Sequence, residues 1–339
     1  MDVSIIIPVY NVAPYIEACL KSVLRQTYTG SMECLLVDDC GTDESISIVE
    51  RMIAEYDGLI RFEILHHDHN RGLSATRNTG TLHATGDYLY YIDSDDEMTD
   101  NCIELLMQKM RENPDLEMVQ GNTIRCTIQN ESDYIIKKVS LPLAKTNEEV
   151  RQCYYKLGQL NVMVWNKLFR RDFIFINSIF CKEGLLYEDN LFTFYMLKHL
   201  KKAAFIPETT YLYKLRPYSI MTSTDKSKKG LHFYTLYGDI LAHLTPGYEH
   251  EEYNYYANKI GCMYFRTLRD VPVFKELFLL WKSKSRLLGN KNTRKKLTIY
   301  SFIGKFKYGW VAWSLMLRVK HPSLIPRDVR RIYVWCSRR

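Results

Sequence analysis

The first hundred residues alternate short apolar runs with amphipathic stretches, and this alternation restricts the fold more than any other feature of the chain. Val3 to Val9 is a β-branched run suited to a strand buried on both faces. Pro8 stands at its end, where the missing N–H costs little. Pro14 opens a helix at a tolerated first-turn position, with Ile16, Cys19, Leu20, Val23 and Leu24 on its apolar face. Cys34 to Val37 predicts a second strand. Thr42 or Asp43 caps the next helix, whose face is Ile46, Val49 and Ile53. Ile60 to Leu65 predicts a third strand, Ser74 to Ala84 a helix, and Tyr88 to Ile92 a fourth strand ending on Asp93. A further helix begins near Asn101 and breaks at Pro114. Such a β-α-β-α-β-α-β order is met by a parallel, doubly wound sheet, an α/β Rossmann-like arrangement. Ligands of these sheets bind outside the carboxyl ends of the strands, so Asn11, Asp38, Asp39 and Asp93 to Asp96 are the first site candidates.

Beyond this region the pattern is less regular. Gln120 to Leu141 alternates enough for extra strands or a hairpin, and mainly helices are expected from Asn147 onward. Lys226, Lys228, Lys229 and Gly230 interrupt the apolar pattern near Pro217 to Gly230. The expected organisation is therefore an α/β domain over 1–225 and a helical, basic region over 226–339. No internal repeat or low-complexity linker occurs. With 46% hydrophobic and 25% charged residues the chain can bury a substantial core. Its 25 tyrosines suit half-wet surfaces such as sugar sites, and equally a plain core. Nine cysteines, an odd number without a CxxC pair, argue against a disulfide framework or a structural zinc site and for a reducing, cytoplasmic compartment. The start lacks a basic n-region and a cleavage site, so no signal peptide is expected. No uncharged apolar run reaches the roughly 18 to 20 residues of a membrane-spanning helix.

Charge is unevenly spread. Lys282 to Arg339 holds 16 Lys and Arg against one acid, Asp328, which leaves 30 basic and 38 acidic residues in the preceding 281. An acidic body with a basic tail points to an anionic partner for the tail. There Phe302, Phe306, Tyr308, Trp310, Trp313, Leu315 and Leu317 are interleaved with Lys305, Lys307, Arg318 and Lys320, which suits the surface of an anionic membrane; a core helix with solvated charges is the other reading. No recognition motif accompanies the charge, so nucleic acid is not an expected partner.

The strongest chemical constellation is Asp93-Ser94-Asp95-Asp96 at a strand end. Carboxylates this close repel one another and call for a cation; a hard divalent metal carrying a diphosphate supplies one, while a solvated acidic loop is the plain alternative. Asp38-Asp39 ends the second strand, either as a turn and helix cap or as acceptors for a nucleobase N–H or ribose hydroxyl. In Asn70-Arg71-Gly72-Leu73-Ser74-Ala75-Thr76-Arg77-Asn78, two arginines flank a glycine turn and a helix start, which makes either an anion site or a loop paired with the acids. His66-His67-Asp68-His69 invites a metal reading, but adjacent histidines on a loop cannot all face one ion without strain.

Taken in order, Pro8-Val9-Tyr10-Asn11, Val37-Asp38-Asp39-Cys40-Gly41-Thr42-Asp43, Asn70 to Asn78 and Asp93-Ser94-Asp95-Asp96 resemble a family 2 glycosyltransferase of the GT-A fold, of the bacterial polysaccharide-assembly type. The resemblance is close through about Asp100 and looser beyond. Cys40-Gly41 departs from the family's usual Gly-Ser in a turn. The resemblance implies that Pro8, Tyr10 and Asn11 line a nucleotide site, that Asp39 with Asp38 contacts the base, usually uracil, and that Arg71, Arg77 and Ser94 serve the nucleotide sugar. Asp93 and Asp95 become the DxD element: Asp95 is a ligand of Mn²⁺ or Mg²⁺, and Asp93 lies nearer the ribose and diphosphate. Tyr187-Glu188-Asp189-Asn190 resembles the acidic element whose Asp, here Asp189, is the catalytic base, with Glu188 holding it or binding acceptor; the plain alternative is a pair of helix-capping acids. Trp165-Asn166-Lys167-Leu168-Phe169 resembles another family segment, in which Trp165 stacks on an acceptor sugar or serves as core. Tyr213, Arg216 and Ser219 to Thr222 resemble the segment after the base, where an Arg or Ser reaches the diphosphate on loop closure. The implied activity is inverting, metal-dependent hexosyl or N-acetylhexosaminyl transfer from a nucleotide sugar to a glycan or lipid-linked acceptor, at the cytoplasmic face of the membrane.

Rival readings are weaker. No two glycines lie two apart, so the dinucleotide fingerprint is missing, and Trp310 replaces the lysine of a phosphate loop spaced by Gly304 and Gly309. Tyr10-Asn11-Val12-Ala13 is not the Gly-rich, Arg-containing loop of a nucleotidyltransferase. A non-catalytic sugar-nucleotide or glycan-binding protein remains the alternative from another class.

Overall fold

The computed structural model describes residues 1–126, 132–135, 139–215, 225–268 and 270–303. The chain divides into two compact units, Met1–Ser223 and Thr224–Arg339.

In the first unit, β1 (Val3–Val9), β2 (Met32–Asp38), β3 (Arg61–His66) and β4 (Tyr88–Tyr91) pair in parallel, in the order β3-β2-β1-β4. Between them run α1 (Ala13–Leu24), α2 (Ser45–Ala54) and α3 (Leu73–His83). Every residue of β1 is buried, as its unbroken apolar run requires. Ile16, Cys19, Leu20 and Val23 pack α1 into the same core. Asp43 rather than Thr42 serves the start of α2: its Oδ1 accepts from the Ser45 N–H at 3.0 Å, and its Oδ2 from the Ala13 N–H at 2.8 Å, so one carboxylate ties two helix starts together.

After β4 come β5 (Glu97–Met98), α4 (Cys102–Glu112) and β6 (Met118–Cys126), with β7 (Ser132–Ile135) antiparallel to β6. β8 (Leu143–Ala144), α5 (Asn147–Gln152), β9 (Lys167–Arg170), α6 (Arg171–Ile176), α7 (Asp189–His199) and β10 (Ala203–Lys214) complete the unit. Helices predominate after Asn147, as expected, but two strands that the pattern did not announce, β9 and β10, fall among them. β9 inserts antiparallel between β4 and β6, and the 12-residue β10 pairs parallel with β6, extending the sheet as β4-β9-β6-β10-β5. β9 is antiparallel to both β4 and β6, so those two strands point the same way.

Asn166, just before β9, pins this half of the sheet. Its φ is +59°, its Nδ2 donates to the carbonyls of Gly121 and Asn122, and its Oδ1 accepts from Thr210 Oγ1 at 2.6 Å. A Cβ on Gly121 would fall 1.9 Å from Thr210 Oγ1, so the close approach of β6 and β10 requires glycine there.

The second unit is helical: α8 (Lys226–Ala242), α9 (Glu249–Met263), α10 (Pro272–Leu288) and α11 (Lys291–Ile303). Asp225 caps α8 through the Ser227 and Lys228 N–H groups. Many of the tyrosines are core here. Tyr237, Tyr253, Tyr256 and Tyr300 are buried, Tyr253 stacks on Trp281 with ring centres 5.2 Å apart, and Tyr264 stacks on Phe278 at 4.1 Å. Arg216, Ser219 to Thr222 and the aromatic-basic stretch from Gly304 to Arg339 lie outside the described residues.

Candidate active site

The carboxyl ends of β1, β2 and β4 come together. Asn11 takes a left-handed conformation, φ +51°, and its Oδ1 accepts from the Thr42 N–H at 2.8 Å, clasping the β1 tip to the turn after β2. In that turn Cys40 also has positive φ, +57°. A glycine, the family's usual residue, fits this position without the steric cost that Cys40 carries, about 1–2 kcal/mol. Tyr10 is 47% exposed at this tip. Pro8 is buried within β1, opposite Val37 of β2.

Asp39 is 2% exposed. Its Oδ1 accepts from the Arg71 N–H and its Oδ2 from the Gly72 N–H, each at 2.8 Å, and His67 Nδ1 lies 2.7 Å from Oδ1. This carboxylate thus shapes the loop entering α3, where Gly72 has φ +85°. Asp38 pairs with His66 at 3.0 Å and accepts from the Gly41 N–H. The histidines of the cluster are each bound to a neighbouring aspartate, His69 to Asp68 at 2.6 Å. Arg71 remains half-exposed, with its nearest carboxylate, Glu183, at 3.3 Å.

Of the two readings of this arginine pair, Arg77 shows the pairing with acids. It is 2% exposed, and its guanidinium is occupied by acids from two other elements: Nη2 donates to Asp93 Oδ1 at 2.7 Å, and Nη1 donates to Glu188 Oε1 at 2.5 Å and Asp189 Oδ1 at 3.4 Å. It is therefore no exposed clamp for a diphosphate. It lies beneath the site and joins the tip of β4 to the start of α7, the fork geometry of arginine serving several carboxylates at once.

At the β4 tip, ligand oxygens of Asp93, Asp95 and Asp96 lie within 4.8 Å of one another. Ser94 is buried between them in sequence. Asp96 is almost fully buried: its Oδ2 accepts from the Tyr211 hydroxyl at 2.7 Å and its Oδ1 from the Lys214 N–H at 2.8 Å. Burial first, then the charges of Asp95 and Asp93, pushes the Asp96 carboxyl well above the ordinary carboxylate range. Three crowded carboxylates of this kind fit a hard divalent cation with oxygen ligands.

Asp189 begins α7 with 16% of its side chain exposed. Its Oδ1 accepts from the Val164 N–H at 3.2 Å. Burial, then the neighbouring charge of Glu188, raises its carboxyl to about 7, against the opposing pull of Arg77. A carboxylate poised there can accept a proton near neutral pH.

Trp165 is 6% exposed and stacks on Tyr211, ring centres 4.3 Å apart and planes 6° apart, with Tyr213 at 5.7 Å. Both tyrosines belong to β10, so the indole is held against that strand. Sequence reasoning missed Tyr211, whose hydroxyl touches Asp96 and accepts from the Asp93 N–H at 3.3 Å. The β-branched and aromatic run Thr209-Thr210-Tyr211-Leu212-Tyr213 is the strand signal that identifies it.

The chain belongs to glycosyl transferase family 2, whose profile matches residues 4–175. Among its relatives, the uncharacterized glycosyltransferase EpsJ of Bacillus subtilis (strain 168) is 30% identical over 225 residues, 64% of this chain and 62% of that protein. The chain thus spans under two thirds of EpsJ. WcaA of Escherichia coli (strain K12), named for colanic acid biosynthesis, is 26% identical over 249 residues, covering 73% of this chain and 85% of WcaA. The crystal structure of S. aureus TarS 1-349 in complex with UDP-GlcNAc superposes with a TM-score of 0.68 at 18% identity, covering 89% of this chain and 92% of that one. The architecture is a GT-A fold with a helical C-terminal region.

Proposed function

We propose that this chain is an inverting glycosyltransferase that moves a hexosyl or N-acetylhexosaminyl group from a nucleotide-diphosphate donor, a UDP-sugar, to a hydroxyl of a glycan or lipid-linked acceptor in cell-surface polysaccharide synthesis. The single observation that carries the reading is the buried Arg77 joining Asp93 to Asp189 and Glu188, which sets a base beside a metal-type carboxylate cluster. Family membership and the UDP-GlcNAc held by TarS support the donor class.

Tyr10, Asn11, Asp38 and Arg71 surround the nucleotide at the β1 and β2 tips, while Asp39 holds the loop that carries Arg71. Asp95, with Asp93, would hold Mn²⁺ or Mg²⁺, and such an ion, when bound, neutralises the charge of the diphosphate. Asp189 takes the proton of the acceptor hydroxyl as its oxygen bonds to the sugar C1. The C1–O bond to the diphosphate breaks, and the nucleoside diphosphate leaves with that electron pair. Glu188 and Arg77 keep Asp189 in place and set its proton affinity.

The enzyme works at the inner face of the cytoplasmic membrane, attached through the basic segment 282–339. The described part of that segment, residues 282–303, carries seven Lys and Arg and no acid, and Leu287 is exposed there. Among the described residues no helix is long and apolar enough to cross a membrane.

Calorimetry of UDP binding with Mn²⁺ and with chelator tests the donor reading. Binding should need the metal; equal affinity in both removes the ion from the site, and no UDP binding in either removes the donor.

A further inference from the structure

The segment 177–188 joins α6 to α7, lies outside every helix and strand, and delivers Glu188 and Asp189 to Arg77. Near its end the backbone is left-handed at Gly184, φ +72°, and again at Tyr187, φ +65°. Glycine adopts this conformation freely, whereas a tyrosine keeps it only where the surroundings hold the backbone. Tyr187 stands directly before Glu188, so whatever holds the segment also sets where the two acids emerge.

The hold comes from α3. Ser74, Arg77 and Asn78 are spaced three and four positions apart, on one face of that helix. Ser74 Oγ donates to the Leu185 carbonyl at 3.3 Å, and Arg77 takes Glu188 and Asp189. Asn78 grips the segment further back. Its Nδ2 donates to the Cys181 carbonyl at 2.8 Å, and its Oδ1 accepts from the Cys181 N–H at 2.9 Å. One amide thus satisfies both backbone groups of one residue, as a neighbouring strand would. It can do so because it carries donor and acceptor on one planar group, which no carboxylate or aliphatic side chain offers. Nδ2 also reaches Glu183 Oε1 at 3.4 Å. Cys181 is 5% exposed at this clamp. The start of α3 is fixed from the other side, by Asp39 and its bonds from the Arg71 and Gly72 N–H groups. The helix is therefore a bar between the β2 tip and the segment that leads to Asp189.

We propose that Asn78 is a positioning residue for Asp189. It acts through the backbone and not on substrate: by clamping Cys181 it fixes the path of the segment, and with it the place of the Glu188-Asp189 pair against Arg77. Its part in transfer rests on the reading of Asp189 as the base.

The test uses the full chain in Mn²⁺ buffer with water as the acceptor, and reads UDP release from UDP-glucose, UDP-galactose and UDP-N-acetylglucosamine. Asn78→Ala should lower kcat by about tenfold or more, the effect of a displaced catalytic group, while donor KM and UDP affinity stay within about twofold of wild type. Iodoacetamide labelling of Cys181, mapped by mass spectrometry, should be about tenfold faster in the variant, because the segment opens. Val49→Ala, a core truncation on α2, is the comparison: it should lower Tm without either change. Asn78→Gln, whose amide sits one methylene too far out, should lower kcat in the same way and decides the matter if Asn78→Ala does not fold. An unchanged kcat in a folded variant, a rise in KM alone, or an equal loss in Val49→Ala overturns the proposal. If the wild type releases UDP from none of the three sugars, the donor reading fails. Cys181 labelling then decides the clamp alone, fast in the variant if Asn78 holds the segment and as slow as wild type if it does not.

Discussion

Replacing Arg77 by Met should destabilise the first unit strongly, and by more at alkaline than at acid pH. Arg77 is a buried cation within hydrogen-bond reach of Asp93 and Glu188, with Asp189 at 3.4 Å. Methionine fills much of its volume and leaves those acids uncompensated. Removing one partner of a buried ion pair costs about 3–5 kcal/mol. The pH dependence follows from Asp189, whose folded carboxyl is raised to about 7 from an ordinary 3.8. The folded chain keeps a proton there that the unfolded chain releases, so the stability this proton provides is present at low pH and is lost as pH rises toward 7. Arg77 opposes the upward shift; without it the carboxyl moves higher and the loss of stability continues above pH 7. Urea unfolding followed by circular dichroism at pH 5 and pH 8 measures both terms. Arg77→Lys keeps the charge without the fork and should fall between wild type and Met. A loss of equal size at the two pH values, or one below about 1 kcal/mol at pH 8, would falsify the account of Arg77 as the counter-charge of this cluster.

Three further outcomes follow from the same geometry. Asp189→Asn should lower the transfer rate about 10²-fold or more while UDP still binds, since that is what a general base typically supplies, and the wild-type rate should rise as pH passes through about 7; near wild-type turnover would return Asp189 to a helix-terminal role. Cys40→Gly should stabilise the protein by about 0.5–1 kcal/mol, the relief of a left-handed residue less the added freedom of the unfolded chain, read as a higher Tm; a lower Tm contradicts the strain at this turn. Wild-type protein should sediment with anionic but not neutral vesicles and lose this at high salt, and changing Lys305, Lys307, Arg318 and Lys320 to Gln should weaken it; indifference to anionic vesicles at low salt removes the membrane role of the basic segment.

The nucleotide-side half of the sheet was legible because each of its strands is a short apolar run closed by turn residues, and each helix carries its own apolar face. The limits of β1 to β4 came within a few residues of expectation. The other half was not, because its strands are defined by distant partners. Lys167–Arg170 reads as no strand by itself and becomes β9 only between Tyr88–Tyr91 and Met118–Gln120. In the site, residue types were legible and their directions were not. An arginine at a helix start reads as an anion binder, but Arg77 points inward because Glu188 and Asp189, more than a hundred residues later, meet it there. Asp39 likewise reads as a free acceptor until the Arg71 and Gly72 N–H groups are seen to claim it.

That inward turn of Arg77 gives the cluster a balance that separate motifs do not reveal. One guanidinium faces Asp93, Glu188 and Asp189, so the buried charge around it is negative even before Asp95 and Asp96 are counted. A site left this acidic has two ways to lower its energy: hold protons, as the raised carboxyls of Asp96 and Asp189 do, or take up a cation at the exposed side of the cluster. The two responses are coupled through Asp93, which accepts from Arg77 and has a carboxylate oxygen within 4.8 Å of those of Asp95 and Asp96. Positive charge arriving at the β4 tip offsets the charge of Asp93, which raises the Asp189 carboxyl, and so favours the ionised form of Asp189. On the proposed reading of Asp189 as the base, binding at the β4 tip readies that base, a consequence of Asp93 bordering both the carboxylate cluster and Arg77.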